Sequence, residues 1–254
     1  MSKPRFLIGY SACQLTLEAF ERAGCEAWTC DLLPSRGRPD RHIQGDIWNV
    51  AEDHWDGALF HPMCTYLTVS AAWALKDPDF DRYPEIGYHQ RVKEGTLTGA
   101  ARREAQAEAV ENFKRLDALP YPHAIENPSP SFISKAYRKP DQIVQPYEHG
   151  DDASKSTGFW IKGLPRLPKV TDYIEPRLVC CGMVLEDGLG KYGCPNCGGD
   201  NVAKPRWANQ TDSGQNNLSP SDDRWLERSK TYPGIASVMG AQWGGYLVSR
   251  KAAQ

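Results

Sequence analysis

The sequence of 254 residues lacks long apolar segments and lacks a strong charge of one sign. No apolar run approaches the ~20 residues that a helix needs to cross a bilayer, so no membrane span is predicted. The stretch MSKPRFLIGY contains no apolar core of a secretory signal, which favours a cytoplasmic protein. Because the formal net charge is −2, no overall positive field attracts nucleic acid, and any such contact must use local patches.

The remaining composition is that of a globular protein, with 40% hydrophobic and 24% charged residues. The length suffices for one large domain, or for one domain with a small insertion. The chain contains 8 cysteines. Thiols stay reduced in the cytosol, so these cysteines are predicted to be metal ligands, nucleophiles or small buried residues.

Strand-like and helical patterns alternate along the first half of the chain. Strands are predicted at RFLIGY, CEAWTCDLL, WDGALFHP and HAIENP, and helices from Leu15 to Gly24 and over residues 100–119. This alternation predicts an α/β fold, with a parallel sheet that carries helices on both faces. Ligands of such sheets bind beyond the carboxyl ends of the strands.

The chain is predicted to divide into four parts. Residues 1–175 form the core, residues 176–205 a cysteine-rich insertion, and residues 224–254 a C-terminal helix that returns to the core. Residues 206–223 contain too few apolar side chains to pack and are predicted to be a mobile loop.

The insertion contains a cysteine pattern that is typical of a small zinc ribbon. CPNCG, with Cys194 and Cys197, is a knuckle whose backbone amides point at a thiolate-bound metal, and Cys180 and Cys181 supply a second pair upstream. Adjacent cysteines strain a tetrahedral site, so the question of which of the two binds stays open. The alternative is a set of reduced thiols without a metal.

Five short stretches follow one another in the order LIGYSAC, CDLL, HIQGDIWNV, FHPMCTYL and IENP. This order resembles the carbon-5 cytosine DNA methyltransferases, most closely a small phage-type branch of that family. The resemblance covers residues 5–170 and resumes near Asp223. It implies a Rossmann-like sheet that binds S-adenosylmethionine, and it implies the cytoplasm of a bacterial host if the protein is phage-encoded.

By this resemblance Cys64 is the nucleophile, which adds to carbon 6 of cytosine so that carbon 5 accepts a methyl group. Glu126 would hold ring nitrogen 3, Asn127 would brace the cysteine loop, and Arg138 is the candidate for the arginine that reaches the base oxygen. Cys64 and Glu126 are then expected on adjacent strand ends, and burial is expected to raise the pKa of Glu126. The alternatives are a buried turn thiol and a surface carboxylate.

The same resemblance implies a cofactor site. Asp31 would bind the ribose hydroxyls, Asp46 the adenine amino group, and Ile47 the adenine face; Tyr10, Ser11, Leu32 and Pro62 would line the site. Asp31 and Asp46 are alternatively ordinary helix-capping or turn residues. His61, next to Pro62, is predicted to be a core histidine with its hydrogen bonds satisfied, the alternative being a place near the base.

The expected partner is DNA or a cytosine nucleotide. The chain has no room for the large domain through which the family reads DNA sequence after base flipping, so a helper protein for target recognition is also expected. Two other readings stay open. One is carbon-5 modification of a pyrimidine in a nucleotide or a single strand, and the other is a non-catalytic nucleic-acid-binding protein on a degenerate methyltransferase fold.

Overall fold

The structure, a computed structural model, describes residues 2–185, 194, 196–198, 204–211, 213–219, 221 and 224–253, with the backbone alone for residues 224–226. A seven-stranded sheet is formed by β1 (Arg5–Gly9), β2 (Glu26–Asp31), β3 (His42–Gln44), β4 (Gly57–Phe60), β5 (His123–Pro128), β6 (Gln142–Val144) and β7 (Thr157–Lys162). A separate three-stranded sheet is formed by β8 (Arg177–Cys180), β9 (Met183–Leu185) and β10 (Lys204–Arg206).

The helices are α1 (Gln14–Arg22), α2 (Gly99–Asp117), α3 (Ile133–Ala136), α4 (Arg224–Ser229), α5 (Pro233–Met239) and α6 (Gly245–Ala252). A π-helical turn, Gly240–Gly244, joins α5 to α6. None of the helices in the described ranges is long and apolar enough to cross a bilayer.

The larger sheet has the strand order β3-β2-β1-β4-β5-β7-β6. The first five of these strands are parallel, and β7 is antiparallel to both of its neighbours. The strand order reverses between β1 and β4, and the loops after these strands therefore diverge and open a crevice at the carboxyl edge. The prediction of an α/β fold with a mostly parallel, Rossmann-compatible sheet is confirmed.

Apolar side chains on both faces of this sheet form the core. Phe6 and Ile8 pack with α1 and the C-terminal helices on one face, whereas Leu7 packs with α2 on the other. Successive side chains of a strand point to opposite faces, so a strand covered on both sides must be apolar throughout. This explains why RFLIGY and GALF could be recognised as strands from the sequence.

The C-terminal segment differs from the single helix that was predicted. It forms α4, α5 and α6 instead, because the chain is extended at Tyr232 and Pro233 begins a new helix. Proline is tolerated in the first turn of a helix but not in its interior. Met239 and Trp243 then pack against the core, as a returning helix requires.

The prediction of a mobile loop is wrong for the described residues 207–211. The Trp207 ring stacks on Tyr147 with centroids 4.2 Å apart. The Asn209 side chain accepts from the Ser154 N–H (2.9 Å), and it donates to the Ser154 carbonyl (3.0 Å) and to the Tyr232 hydroxyl (3.2 Å). Hydrogen bonds thus anchor a segment that contains few apolar side chains. Residues 212, 220, 222 and 223 of the predicted loop lie outside the described residues.

Candidate active site

Cys64 lies on the turn that leaves β4 at the carboxyl edge of the sheet. The His61 N–H donates to the Gly9 carbonyl (3.0 Å), so the chain follows β1 for one residue beyond the strand, and Pro62 then fixes its own φ. The Cys64 carbonyl accepts from the N–H groups of Leu67 and Thr68 at 3.0 and 2.9 Å. Cys64 is exposed, which excludes a fully buried turn thiol.

Asn127 on β5 holds this turn in place. Its side chain is 1% exposed, and its Nδ2 donates to the Pro62 carbonyl at 3.4 Å. The Ser131 hydroxyl lies 3.4 Å from Asn127 Oδ1 and 3.1 Å from the Leu67 carbonyl. Both ends of the cysteine loop are therefore tied to residues in or just after β5, and the expected contact between Asn127 and this loop is present.

Glu126 precedes Asn127 on β5 and contacts His61. The Nδ1 of His61 is hydrogen-bonded to Oε2 of Glu126, and the two side chains are recessed, with 14% and 15% exposure. Burial alone would raise the pKa of Glu126, but the hydrogen bond and charge of His61, with a smaller contribution from Lys155, lower it to about 2. The predicted rise in the pKa of Glu126 is therefore wrong, because burial was counted without the histidine partner.

The charges around Cys64 set the state of its thiol. Desolvation and then the negative charge of Glu126 raise the pKa of Cys64, while the positive charges of Lys155 and Arg228 lower it. Since the residue keeps an exposed surface, its desolvation is incomplete and the charge of Glu126 carries more weight. A thiol with a raised pKa is protonated at neutral pH, so Cys64 needs these cations to become a nucleophile.

A narrow pocket behind Cys64 contains groups that the sequence did not reveal. It is lined by His61, Glu126, Lys155, Thr157, Phe159, Thr231, Tyr232, Ile235 and Met239. Lys155 Nζ also donates to the Arg228 carbonyl at 3.1 Å. His61 Nε2 is buried and has no hydrogen-bond partner among the described residues. The prediction of a satisfied core histidine therefore holds for one ring nitrogen and is wrong for the other.

Asp31 and Asp46 lie at the same edge of the sheet, Asp31 as the last residue of β2 and Asp46 two residues after β3. Asp31 Oδ1 accepts from the Leu33 N–H and Asp46 Oδ1 from the Trp48 N–H, each at 2.9 Å. Both residues thus have the local turn or capping role that was the alternative. Each carboxylate uses only Oδ1 in this way, and no described residue hydrogen-bonds to either Oδ2.

The loop after β1 is built around a close contact. A Cβ on Gly9 would lie 2.6 Å from the Phe60 ring and 2.7 Å from Ile47 Cδ1, so Gly9 allows Ile47 to pack beneath the loop. Tyr10 follows with φ +57, a left-handed conformation that is uncommon outside glycine. The hydroxyl of Ser11 accepts from the Cys13 N–H (3.2 Å), whereas Leu32 is exposed beyond Asp31.

Tyr10 also forms one wall of a cleft of about 250 Å³ between this loop and α2. The other lining residues are Pro62, Met63, Tyr66, Ala105, Glu108, Ala109 and Asn112. Asn112 Oδ1 accepts from the Tyr10 hydroxyl (3.1 Å) and from Trp48 Nε1 (3.0 Å), which fixes the orientation of the amide. Asn112 gave no signal in the sequence, because it stands among many polar residues on the predicted helix.

Arg138 lies away from this site. Its Nε and Nη2 bind Asp117 at 2.9 and 2.7 Å, and its Nη1 binds Asp141 at 2.7 Å. Asp117 lies beside His123, the first residue of β5, whereas Glu126 is near the other end of that strand. The prediction that Arg138 reaches the base is wrong, because the chain after α3 returns it to the amino edge of the sheet.

The four cysteines of the insertion come together as predicted. All four sulfurs lie within 4.8 Å of one another, with Cys180 to Cys197 at 3.9 Å and Cys181 to Cys194 at 3.5 Å. A zinc–sulfur distance of about 2.3 Å gives a tetrahedral edge of about 3.8 Å, so these separations suit a metal such as zinc. The adjacent pair is accommodated because Cys181 adopts φ +46.

The knuckle amides also behave as expected. Backbone hydrogen bonds from Cys197 and Asn196 lower the pKa of Cys194 to about 6, which favours the thiolate that a metal requires. Residues 186–193, 195 and 199–203 of the predicted ribbon lie outside the described residues.

Comparison with known proteins adds no assignment. No model of a known protein family matches the chain, and no curated protein matches it. The functional argument therefore depends on the arrangement of side chains at the carboxyl edge of the sheet.

Proposed function

We propose that this protein transfers a methyl group to carbon 5 of cytosine in DNA, with Cys64 as the nucleophile. One observation carries the proposal: an exposed cysteine lies beside a recessed glutamate of the adjacent parallel strand, on a loop that the Asn127 amide holds at the Pro62 carbonyl. A reactive side chain must be held by its neighbours to meet a substrate in one geometry, and the Asn127 and Ser131 contacts serve this purpose.

Cys64 and Glu126 supply complementary parts of the reaction. The thiolate of Cys64 forms a bond to carbon 6, and the electron pair of the 5,6 double bond moves towards carbon 5. Ring nitrogen 3 gains a proton on the side of Glu126. When carbon 5 later passes its proton to a solvent water, the electron pair of that C–H bond restores the 5,6 double bond. The bond from Cys64 to carbon 6 then breaks, and its electron pair returns to the sulfur.

The carboxyl edge also fits the proposed cofactor, S-adenosylmethionine. When bound, this cofactor supplies an electrophilic methyl group. The Oδ2 atoms of Asp31 and Asp46, to which no described residue hydrogen-bonds, suit hydroxyl and amino donors, and the cleft beside Tyr10 offers an aromatic wall. The mostly parallel seven-stranded sheet is compatible with the Rossmann-like sheet that the resemblance implies. Ala12, Cys13 and Gln14 stand where that family carries glycines, so the backbone of this loop would approach the cofactor less closely.

We further propose that the metal is a structural zinc. Four thiolates leave no coordination position open, which is the usual arrangement of structural rather than catalytic zinc. The described part of the insertion buries few apolar side chains, so metal binding would supply much of its folding energy.

The proposed substrate is a cytosine base in DNA, or alternatively a cytosine nucleotide, because Lys155 and Arg228 place positive charge near Cys64. Residues 163–223, between β7 and α4, are too few for a large target-recognition domain, so a helper protein for target recognition is part of the proposal.

The test is methyl transfer by purified protein to three substrates: duplex DNA, single-stranded DNA and a free cytosine nucleotide. Nucleoside mass spectrometry should detect 5-methylcytosine with at least one of them, and Cys64→Ser should abolish it. Cys25→Ala is the matched control, because Cys25 is a buried thiol on the other side of the core. Product formation by Cys64→Ser would refute the proposal. So would the absence of 5-methylcytosine both with the three purified substrates and in the DNA of cells that express the parent, where a helper protein can be present.

A further inference from the structure

His61 is held in a position where its ring contacts the Glu126 carboxylate. Its backbone is fixed by the bond to the Gly9 carbonyl and by the proline that follows. Its ring contacts the Glu126 carboxylate through Nδ1. Because a carboxylate has no hydrogen to donate, Nδ1 must carry the proton in this contact. The pair therefore has a proton between its two members, at the point where ring nitrogen 3 of a bound base needs one.

No described residue forms a hydrogen bond with the other ring nitrogen of His61. Nε2 is buried, so neither a lone pair nor an N–H is held there by a partner among the described residues. Glu126 and Lys155 line the same pocket and place a negative and a positive charge beside the ring. The other titratable groups nearby are Tyr232 ahead of α5, and Cys64 and Arg228 at the rim.

Glu126 cannot supply this proton by itself. The carboxylate is ionised in the resting protein, since His61 and Lys155 hold its pKa low. A carboxylate without a proton cannot act as an acid towards the base. The proton must therefore come from a neighbour, and His61 is the side chain that hydrogen-bonds to Glu126.

We propose that His61 stores the proton that ring nitrogen 3 takes up, and that Glu126 relays it; this inference rests on the proposed function. The imidazolium of His61 gives its Nδ1 proton to Glu126 and becomes neutral, with the remaining proton on Nε2. The protonated Glu126 then gives a proton to ring nitrogen 3 as Cys64 adds to carbon 6. When Cys64 leaves, nitrogen 3 returns the proton by the same route, so protons balance over the cycle.

This arrangement predicts opposite pH requirements for two groups. Cys64 must lose its proton to attack, while His61 must keep its second proton until the base is bound. The rate should therefore rise and then fall with pH, and the alkaline decline should belong to His61.

The first test follows the protonation of His61 directly and does not require methyl transfer. In protein labelled with ¹⁵N-histidine, His61 should remain an imidazolium to higher pH in the parent than in Glu126→Gln, where the carboxylate charge is gone. Identical titration of His61 in both proteins would overturn the inference, because no proton would then be shared with Glu126.

The second test measures covalent trapping on single-stranded DNA that carries 5-fluorocytosine, with S-adenosylmethionine present. His61→Asn keeps a donor for Glu126 but cannot release a proton, so trapping at neutral pH should slow by roughly 100-fold and the alkaline decline should disappear. His54→Asn, a substitution of an exposed histidine, is the control and should behave as the parent does.

The outcomes separate this inference from the proposed function. A parental rate and pH profile in His61→Asn, with normal adduct formation by the parent, would overturn the role of His61 alone. No adduct in the parent would overturn both. His61→Gln provides a second variant, whose longer side chain fills more of the imidazole space, if His61→Asn is unstable.

Discussion

Replacing Arg138 with methionine should destabilise the fold and leave the chemistry intact. The guanidinium makes three charge-assisted hydrogen bonds, two to Asp117 and one to Asp141. Asp117 is nearly buried, with 8% side-chain exposure, while Arg138 retains 31%. Methionine keeps much of the stem of the side chain and removes the charge, so the change isolates these hydrogen bonds.

The expected loss of stability depends on which partners Asp117 keeps when the guanidinium is removed. Removing one partner of a fully buried ion pair costs about 3–5 kcal/mol. Here water can reach the position of the guanidinium, and Asp117 keeps the Tyr137 hydroxyl at 2.8 Å. We therefore expect a loss of about 2–3 kcal/mol in the free energy of unfolding, the scale of one or two hydrogen bonds to a charged group.

The loss of unfolding free energy in Arg138→Met should depend on pH. Although burial alone would raise the pKa of Asp117, the neighbouring His123, whose Nε2 lies 3.8 Å from Asp117 Oδ1, and hydrogen bonds from Arg138 and Tyr137 hold this pKa well below its usual range. A lowered folded-state pKa stabilises the protein above the unfolded value of about 3.9, and this contribution disappears as the pH falls through the folded value. The difference between the parent and the Arg138→Met variant should therefore shrink in acid.

Urea unfolding measures this difference as a shift of the midpoint at constant slope. Lys139→Met is the control: it removes the neighbouring positive charge from an exposed side chain and should change stability by less than about 0.5 kcal/mol. An unchanged midpoint for Arg138→Met, or loss of methyl transfer per folded molecule, would refute the assignment of Arg138 to the amino edge of the sheet.

Three further predictions concern the metal, the thiol and the cofactor site. The parent should contain about one zinc per chain by elemental analysis; Cys194→Ser should release it and Cys64→Ser should not, and a folded parent without metal would contradict this. Lys155→Met should raise the pKa of Cys64 and slow its alkylation by iodoacetamide at neutral pH, whereas equal rates would show that Lys155 does not act on the thiol. Asp46→Ala should weaken S-adenosylmethionine binding by about 1–3 kcal/mol in calorimetry, the scale of a lost buried hydrogen bond, and unchanged affinity would remove Asp46 from the site.

The parallel strands were predictable because a strand that is buried on both faces needs an apolar residue at nearly every position. β4 is apolar throughout and β1 is apolar after Arg5, and α1 ends before a glycine with φ +97. β3 and β6 were missed because each has only three residues, too few for any pattern to appear. β7 is apolar, but no turn signal marks it as a reversed strand between β5 and β6.

The site was predictable where the sequence places residues next to a strand end, and not where distant segments meet. Cys64 follows one recognisable strand and Asn127 lies near the end of another, so their approach could be expected. The low pKa of Glu126 depends on His61, a residue 65 positions away whose ring could have pointed elsewhere. Lys155 precedes a strand that was not predicted, so nothing indicated that its charge would reach Cys64.

The segment after the ribbon contacts residues in and next to the wall of the candidate active site. Asn209 bonds to the backbone of Ser154, the residue before Lys155, and to the hydroxyl of Tyr232, which lines the pocket of Glu126. Lys155 in turn donates to the Arg228 carbonyl. The backbone before Lys155 and the Tyr232 hydroxyl are therefore held by the segment that follows the ribbon. A small insertion at this point can influence the candidate active site without a large separate domain, because its connecting residues contact the chain on both sides of the pocket.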